Sequence, residues 1–309
     1  MRAGLDVGGT KTDAVAVGPA GEIVGRVRLA TGWGADAVVR TVLDAVAALA
    51  AEPGLRGDVI TSLGVGIPGQ VAPGGTRVLH AVNLGVEELD LAAAIEPELG
   101  GVRVRVENDV KAAALGTYAL RGRDGSMAYL NLGTGVAAGF VFDGALWRGA
   151  RGTAGEIGHL SVDPGGPVCR CGQHGCIEAL AGGAAIAARW GRPGALPVRD
   201  VFDAADAGDP RARRLRDGLA HGVAAAVRVL VLAADVEAVV LGGGLTALGD
   251  RLVDDVRREL RGSAAASSFL RSLRLDERVE PLPTGSPAAA LGAALVGASF
   301  DPEEALAHG

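Results

Sequence analysis

Three times along this chain a short apolar strand runs straight into a glycine turn. The segments are Leu5-Asp6-Val7-Gly8-Gly9-Thr10, Leu130-Asn131-Leu132-Gly133-Thr134-Gly135, and Val236–Leu241 leading into Gly242-Gly243-Gly244. Lacking a Cβ, glycine lets backbone amides in such turns converge on an anion. The first two segments each continue into a hairpin, turning at Pro19-Ala20-Gly21 and at Asp143-Gly144, and stand about 125 residues apart. They read as an internal duplication, giving two similar α/β halves that face each other. The plainer alternative is that glycine turns recur in a chain with 49 glycines among 309 residues. None of the three has the P-loop or Rossmann glycine spacing, so those nucleotide folds are disfavoured.

The hydrophobic pattern fits an α/β layered architecture. Strands are expected at Ala3–Val7, Thr12–Val17 and Glu22–Ala30, a helix at Asp36–Ala51, and a strand at Asp58–Gly66. A helix at Asp90–Leu99, a strand at Val102–Val106 and a helix at Val110–Leu120 follow. Past the second hairpin come a Gly/Cys-rich insertion at Gly149–Cys176 and helices near Ile177–Trp190 and Pro210–Ala234. A strand at Val236–Leu241, a helix near Thr246–Leu260, a strand near Val279–Leu282 and a final helix at Pro287–Ala298 complete the pattern.

Hydrophobic residues make up 49% of the chain but aromatics only 3%, so the core has to be built from Ala, Val and Leu. A net charge of −6 removes the electrostatic reason to expect nucleic acid as a partner. The apolar stretch Ala288–Phe300 falls short of the roughly 20 residues that cross a bilayer, and Arg228, Asp235 and Glu237 interrupt the run at Val223–Val240. The N-terminus enters strand-like sequence without a signal-peptide pattern. A cytoplasmic protein without membrane contact is expected.

Four groups of side chains carry chemistry. Asp6 precedes the first glycine turn, where a carboxylate can hold hydrated Mg²⁺ or cap the turn amides. Glu107-Asn108-Asp109 ends a strand and opens a helix, so its side chains project where α/β sheets bind ligands. An Asp there can accept the proton of a hydroxyl that attacks a phosphoryl group, and Asn108 or Asp109 can equally serve as a plain helix cap. The three cysteines, Cys169, Cys171 and Cys176, lie within eight residues and read as Zn²⁺ ligands. The fourth ligand is His159 or, second, His174. Zinc there would fix Glu156 and Glu178 where they bind ligand hydroxyls.

Taken together, Asp6–Lys11, Glu107–Asp109, Gly133–Gly135, Gly155-Glu156-Ile157-Gly158-His159, the Cys169–Cys176 cluster with Glu178, and Gly242–Gly244 resemble the ROK group of sugar kinases and repressors. That group lies within the actin-like/hexokinase superfamily, and the resemblance covers essentially the whole chain. It implies a two-domain actin-like (ribonuclease H-like) α/β fold with duplicated halves and a cleft between them. The domains would be 1–118, joined by a C-terminal helix at about 287–309, and 119–286 carrying the zinc motif. It also implies transfer of the ATP γ-phosphoryl group to a hexose, most simply glucose at its 6-hydroxyl, with Asp109 as general base.

In that reading Gly69, Asn83, Asn108, Asp109, Glu156, His159 and Glu178 hold the sugar. Asp6, Gly8, Gly9, Thr10, Lys11, Thr12, Gly133, Thr134, Gly135, Gly242, Gly243 and Gly244 receive Mg·ATP, and His159 joins the three cysteines on structural zinc. The chain departs from the group at Val82 and Val86-Glu87 in the sugar loop, at Ala137 and at Lys111. An amino- or N-acetyl-hexose such as N-acetylmannosamine is the alternative substrate. A non-catalytic sugar-responsive regulator is the alternative class, although only five residues precede Asp6, leaving no room there for a helix-turn-helix. The group also implies a homo-oligomer, a dimer or tetramer.

Overall fold

Alternating apolar residues at the start of the chain form three antiparallel strands, β1 (Arg2–Val7), β2 (Lys11–Val17) and β3 (Ile23–Ala30), followed by α1 (Ala35–Ala51). This is a computed structural model describing residues 1–55, 59–122 and 124–298. Next come β4 (Ser62–Ile67), β5 (Gln70–Val71), β6 (Arg77–Ala81), β7 (Val86–Asp90), α2 (Leu91–Ile95), β8 (Arg103–Asn108) and α3 (Asp109–Leu120). The middle holds β9 (Ser126–Leu132), β10 (Val136–Phe142), β11 (Ala145–Trp147), α4 (Ile177–Ala181), α5 (Gly183–Trp190), α6 (Pro197–Asp206) and α7 (Pro210–Ala234). β12 (Ala238–Gly242), α8 (Asp250–Ala264), α9 (Ser268–Ser272), β13 (Val279–Pro281) and α10 (Ala288–Ala298) close the chain.

The duplication is visible in topology. One five-stranded sheet has the order β3-β2-β1-β4-β8 and the other β11-β10-β9-β12-β13. In the first, β1 pairs antiparallel with β2 and parallel with β4, which pairs parallel with β8. In the second, β12 lies parallel to both β9 and β13. This repeat is the fold of the actin-like ATPases.

The chain forms two compact units, one of Met1–Asp124, Gly139–Ala154 and Ser286–Gly309, the other of Gly125–Ala138 and Gly155–Gly285. Segment 139–154, expected with the second domain, clusters with the first unit, so β10 begins in one unit and ends in the other.

The first unit depends on α10. Its sequence, Ala-Ala-Ala-Leu-Gly-Ala-Ala-Leu-Val-Gly-Ala, is apolar on all sides, as a helix enclosed by its own unit requires. It lies against β1, β4 and α3 at backbone distance. A Cβ on Gly4 would stand 2.1 Å from the Ala290 carbonyl oxygen, one on Gly64 1.7 Å from that of Ala293, and one on Gly116 1.8 Å from that of Ala288. Glycine at these positions lets a helix touch strands and a second helix directly, which is how a core so poor in aromatics fills its volume.

Several elements differ from the sequence reading. The strands β5, β6 and β7 form a small antiparallel sheet that was not expected. The expected helix Asp90–Leu99 is the five-residue α2, and the strand expected at Asp58–Gly66 runs from Ser62 to Ile67, its first residue lying outside the described residues. Gly182 divides the expected helix Ile177–Trp190 into α4 and α5. The helices α6 and α9 were not expected, and the helix expected from Thr246 begins as a 3-10 turn before α8. The last residues assigned to the terminal helix, 299–309, lie outside the described residues. Of the described helices, α7 alone is long and apolar enough to cross a membrane, and over half of that stretch is buried within the second unit.

Candidate active site

In the first unit three parallel strands, β1, β4 and β8, end together. Asp6 pairs in register with Gly66, and Gly66 with Glu107. Side chains at the carboxyl ends of such strands, and the turns that follow, line the ligand side of an α/β sheet. Gly66 keeps the middle of the row open, for a Cβ there would come 3.1 Å from Ala112 Cβ and 3.6 Å from Asp109 Cα.

Asn108 organises the end of β8. Its Oδ1 accepts the amides of Val110 (3.1 Å) and Lys111 (3.2 Å), capping α3. Its Nδ2 donates to Asp109 Oδ1 (3.0 Å) and to the Gly69 carbonyl (3.1 Å). One side chain therefore ties the helix start, the Asp109 carboxylate and the 66–69 loop together. Gly69 has φ 107°, and a Cβ on it would come 2.6 Å from the Leu79 carbonyl oxygen. The helix-cap role anticipated for this motif is present, and the capping side chain also reaches the 66–69 loop.

The first glycine turn closes with the Gly8 amide donating to the Lys11 carbonyl (3.0 Å). Gly9 lies against Asn83, where a Cβ would meet the carbonyl oxygen at 2.9 Å, so the expected nucleotide turn and the expected sugar loop adjoin. Thr10 and Lys11 are exposed. Thr12 is fully buried with its hydroxyl 2.8 Å from that of Thr31, which places it beneath the turn as a brace. Asn83 sits in a 3-10 turn (Val82–Leu84) ended by left-handed Gly85, beside the exposed Val82. The indole of Trp33 covers Gly85 and is itself 71% exposed.

Enclosure raises the Asp6 carboxyl to about 7, with repulsion from Asp109 and Asp13 adding to the effect and Lys11 opposing it. Such a carboxyl is relieved by a cation beside it, which fits a role toward hydrated Mg²⁺. Lys111, one of the departures from the group, is 3% exposed on the buried side of α3.

The second unit carries the other two glycine turns side by side. β9 and β12 are parallel neighbours, with Gly242 in register with Asn131. Gly243, at φ 84°, leaves its would-be Cβ 2.6 Å from both Asn131 Oδ1 and the Leu132 carbonyl oxygen. Thr246 Oγ1 donates to the Gly243 carbonyl (2.8 Å). The Gly133 and Thr134 carbonyls accept the amides of Gly183 (2.9 Å) and Ala184 (3.1 Å) at the start of α5. Glu178 joins this group, its Oε2 accepting the Val136 amide at 3.0 Å. The two glycine turns expected to receive phosphates thus lie at the ends of adjacent parallel strands.

Glu156 precedes a 3-10 turn (Ile157–His159) that ends in His159, and both side chains are exposed. His159 Nδ1 lies 3.9 Å from Cys169 Sγ, and Cys171 Sγ lies 3.6 Å from Cys176 Sγ. The donor atoms of His159, Cys169 and Cys171 all fall within 4.8 Å of one another. Donors bound tetrahedrally to Zn²⁺ at about 2.1–2.3 Å stand about 3.5–3.8 Å apart, so the set needs little adjustment to hold the ion. Hydrogen bonds from Gln173, the backbone N–H foremost, lower the Cys171 thiol to about 6, while burial pushes Cys176 up to about 12. A divalent cation is what would let both stand as thiolates. His174 has its Nδ1 3.3 Å from the Gly166 carbonyl oxygen, and it is the His159 ring that lies with Cys169 and Cys171.

One pair was not singled out from sequence. Glu107, only 4% exposed, receives Arg148 Nε at 2.6 Å. The two are 41 residues apart, and no local pattern joins them.

These features define a duplicated actin-like α/β protein with glycine turns at strand ends in both units and an acidic strand end in the first. The ROK family model matches residues 2–298, and the chain belongs to that family. A glucokinase of Halalkalibacterium halodurans is 34% identical over 283 residues, covering 84% of this chain and 85% of that protein. An N-acetylmannosamine kinase of Shigella boydii is 35% identical over 244 residues, covering 78% and 82%. The ROK family glucokinase from Streptomyces griseus, solved in complex with glucose and AMPPNP, superposes with a TM-score of 0.78 at 29% identity, over 97% of this chain and 99% of that one.

Proposed function

We propose that this chain is an ATP-dependent hexose kinase that transfers the γ-phosphoryl group to a sugar hydroxyl, most simply the 6-hydroxyl of glucose. The observation that carries the reading is the hydrogen-bonded unit of Gly69, Asn108 and Asp109 at the end of β8, beside the turn that follows Asp6. Kinship with a glucokinase and an N-acetylmannosamine kinase, and fold likeness to a glucokinase solved with glucose and AMPPNP, support it.

Phosphoryl transfer depends on positioning and charge neutralisation more than on covalent help. Asp109 accepts the proton of the attacking hydroxyl, held in direction by Asn108. Within the first unit Gly69 and Asn83 are the further sugar-contact candidates, and within the second unit the candidates are Glu156, His159 and Glu178. The glycine turns of each unit are the candidates to receive phosphate oxygens, and Asp6 would hold hydrated Mg²⁺, which would supply charge neutralisation. His159, Cys169, Cys171 and Cys176 would hold zinc, which would supply rigidity rather than chemistry to the loop between Glu156 and Glu178.

The test is phosphate transfer from ATP across glucose, mannose, fructose, allose, N-acetylhexosamines and aminohexoses. Glucose as the best acceptor by kcat/KM is the expected outcome. Preference for N-acetylmannosamine is the second reading, favoured by the equally similar N-acetylmannosamine kinase. ATP turnover with no sugar in the panel would overturn both.

A further inference from the structure

We propose that Arg148 is a positioning residue for phosphoryl transfer, acting through Glu107 on the start of α3 and thereby on Asp109. The inference rests on the kinase reading above. Glu107 precedes Asn108 at the end of β8, and its carboxylate is almost wholly removed from water. One oxygen accepts the Asn108 backbone amide at 3.0 Å and the other accepts Arg148 Nε at 2.6 Å. Asn108 in turn caps α3 and donates to Asp109 Oδ1 at 3.0 Å. An unbroken series of hydrogen bonds thus links the guanidinium to the reacting carboxylate.

A buried carboxylate left without its cation either takes up a proton or turns toward water. Either change would release the Asn108 amide and the direction it gives to Asp109. Arg148 is itself held from two sides. It follows Trp147, whose ring packs edge-on to Phe140 at 5.4 Å and Phe142 at 6.2 Å between centroids. Its carbonyl accepts the Ala154 amide at 3.1 Å, closing the short loop between them. Within two residues of Ala154 the chain reaches Glu156. Arg148 therefore fastens the 148–154 loop to the strand end that bears Asp109.

The test compares wild type, Arg148→Lys, Arg148→Gln, Glu107→Gln and the double variant, each confirmed folded by circular dichroism. Arg148→Gln is expected to lower kcat about 10- to 100-fold with KM changed less than about threefold, since misplaced groups cost turnover before binding. Arg148→Lys recovers part of the loss, and Arg148→Gln in the Glu107→Gln background costs much less than in wild type, because both removals act through one contact. Amide exchange at Val110 and Lys111 is expected to quicken in Arg148→Gln and stay slow in Arg148→Lys. Unchanged kcat in folded Arg148→Gln, or unchanged exchange at those two amides, overturns the proposal. Wild type inactive toward every sugar sinks the kinase reading instead, and the exchange experiment still decides whether Arg148 holds the start of α3.

Discussion

Asp6 lies enclosed within range of the Asp109 carboxylate, and that enclosure first, with repulsion from Asp109 second, makes it hold its proton up to about pH 7. Its folded value lies above the unfolded value of 3.8, so the stability it contributes is complete below that pH and is lost as pH rises toward 7. At about 1.4 kcal/mol per unit, roughly 4 kcal/mol is at stake. Asp6→Asn should match wild type in denaturant unfolding near pH 4 and exceed it at pH 8, the gap opening between these values. Parallel curves for the two proteins would remove the effect.

Loss of the Asp109 carboxylate should separate binding from chemistry. Asp109→Asn keeps the cap that Asn108 places on α3 and should bind sugar within a fewfold of wild type. Its kcat should fall by about 10²- to 10⁴-fold, the usual contribution of a positioned base. Isothermal titration and steady-state kinetics on one preparation check both halves, and wild-type turnover in the variant would take Asp109 out of the mechanism.

Metal content tests the cysteine cluster. Protein purified without chelator should carry a single zinc per chain, and Cys171→Ser should lose it, since a closed structural site needs all four donors. His174→Ala should retain the metal, whereas His159→Ala should not. Elemental analysis reads all four samples, and equal zinc in both histidine variants would contradict the donor set.

Trp33 offers an optical report. It stands over Gly85, two residues from Asn83, and is 71% exposed, whereas Trp190 is 2% exposed. Sugar binding at Asn83 without nucleotide should change the intrinsic fluorescence, and Trp33→Phe should remove most of that change. A full signal in Trp33→Phe would place the sugar elsewhere.

The close seat of α10 predicts an intolerant glycine. In Gly64→Ala the new methyl would lie 1.7 Å from a backbone oxygen, so a helix or strand must shift. Overpacking of this kind typically costs 1–3 kcal/mol or more. Thermal unfolding should show a lowered midpoint for Gly64→Ala and almost none of that loss for Gly54→Ala, where the added carbon meets open space. Equal midpoints would mean α10 is seated less tightly.

Local signals carried much of the fold. The helix α7 begins and ends where Asp209, Pro210 and the apolar periodicity place it, and the first hairpin is as its turn residues require. The β5-β6-β7 sheet was hidden because its strands are short and largely exposed, so no run of alternation rises above the loop residues around Pro73 and Gly74. Within the site, motifs revealed what stands next to its partner in sequence, as in Asn108-Asp109. They were silent on what folding alone brings together. Spacing left His159 and His174 open as fourth donor, and Arg148 carries no local mark of Glu107.

The seat of α10 also orders events during synthesis. Strands β1 and β4 emerge early, yet the helix that covers them is made after the entire second unit. A nascent chain must therefore keep an apolar sheet uncovered, or shielded by a chaperone, until α10 clears the ribosome, and contacts this distant in sequence are slow to form. The second unit is free to mature first and the first unit is finished last, so a ribosome stalled before Ala288 would release a protein with one half complete and the other open to aggregation.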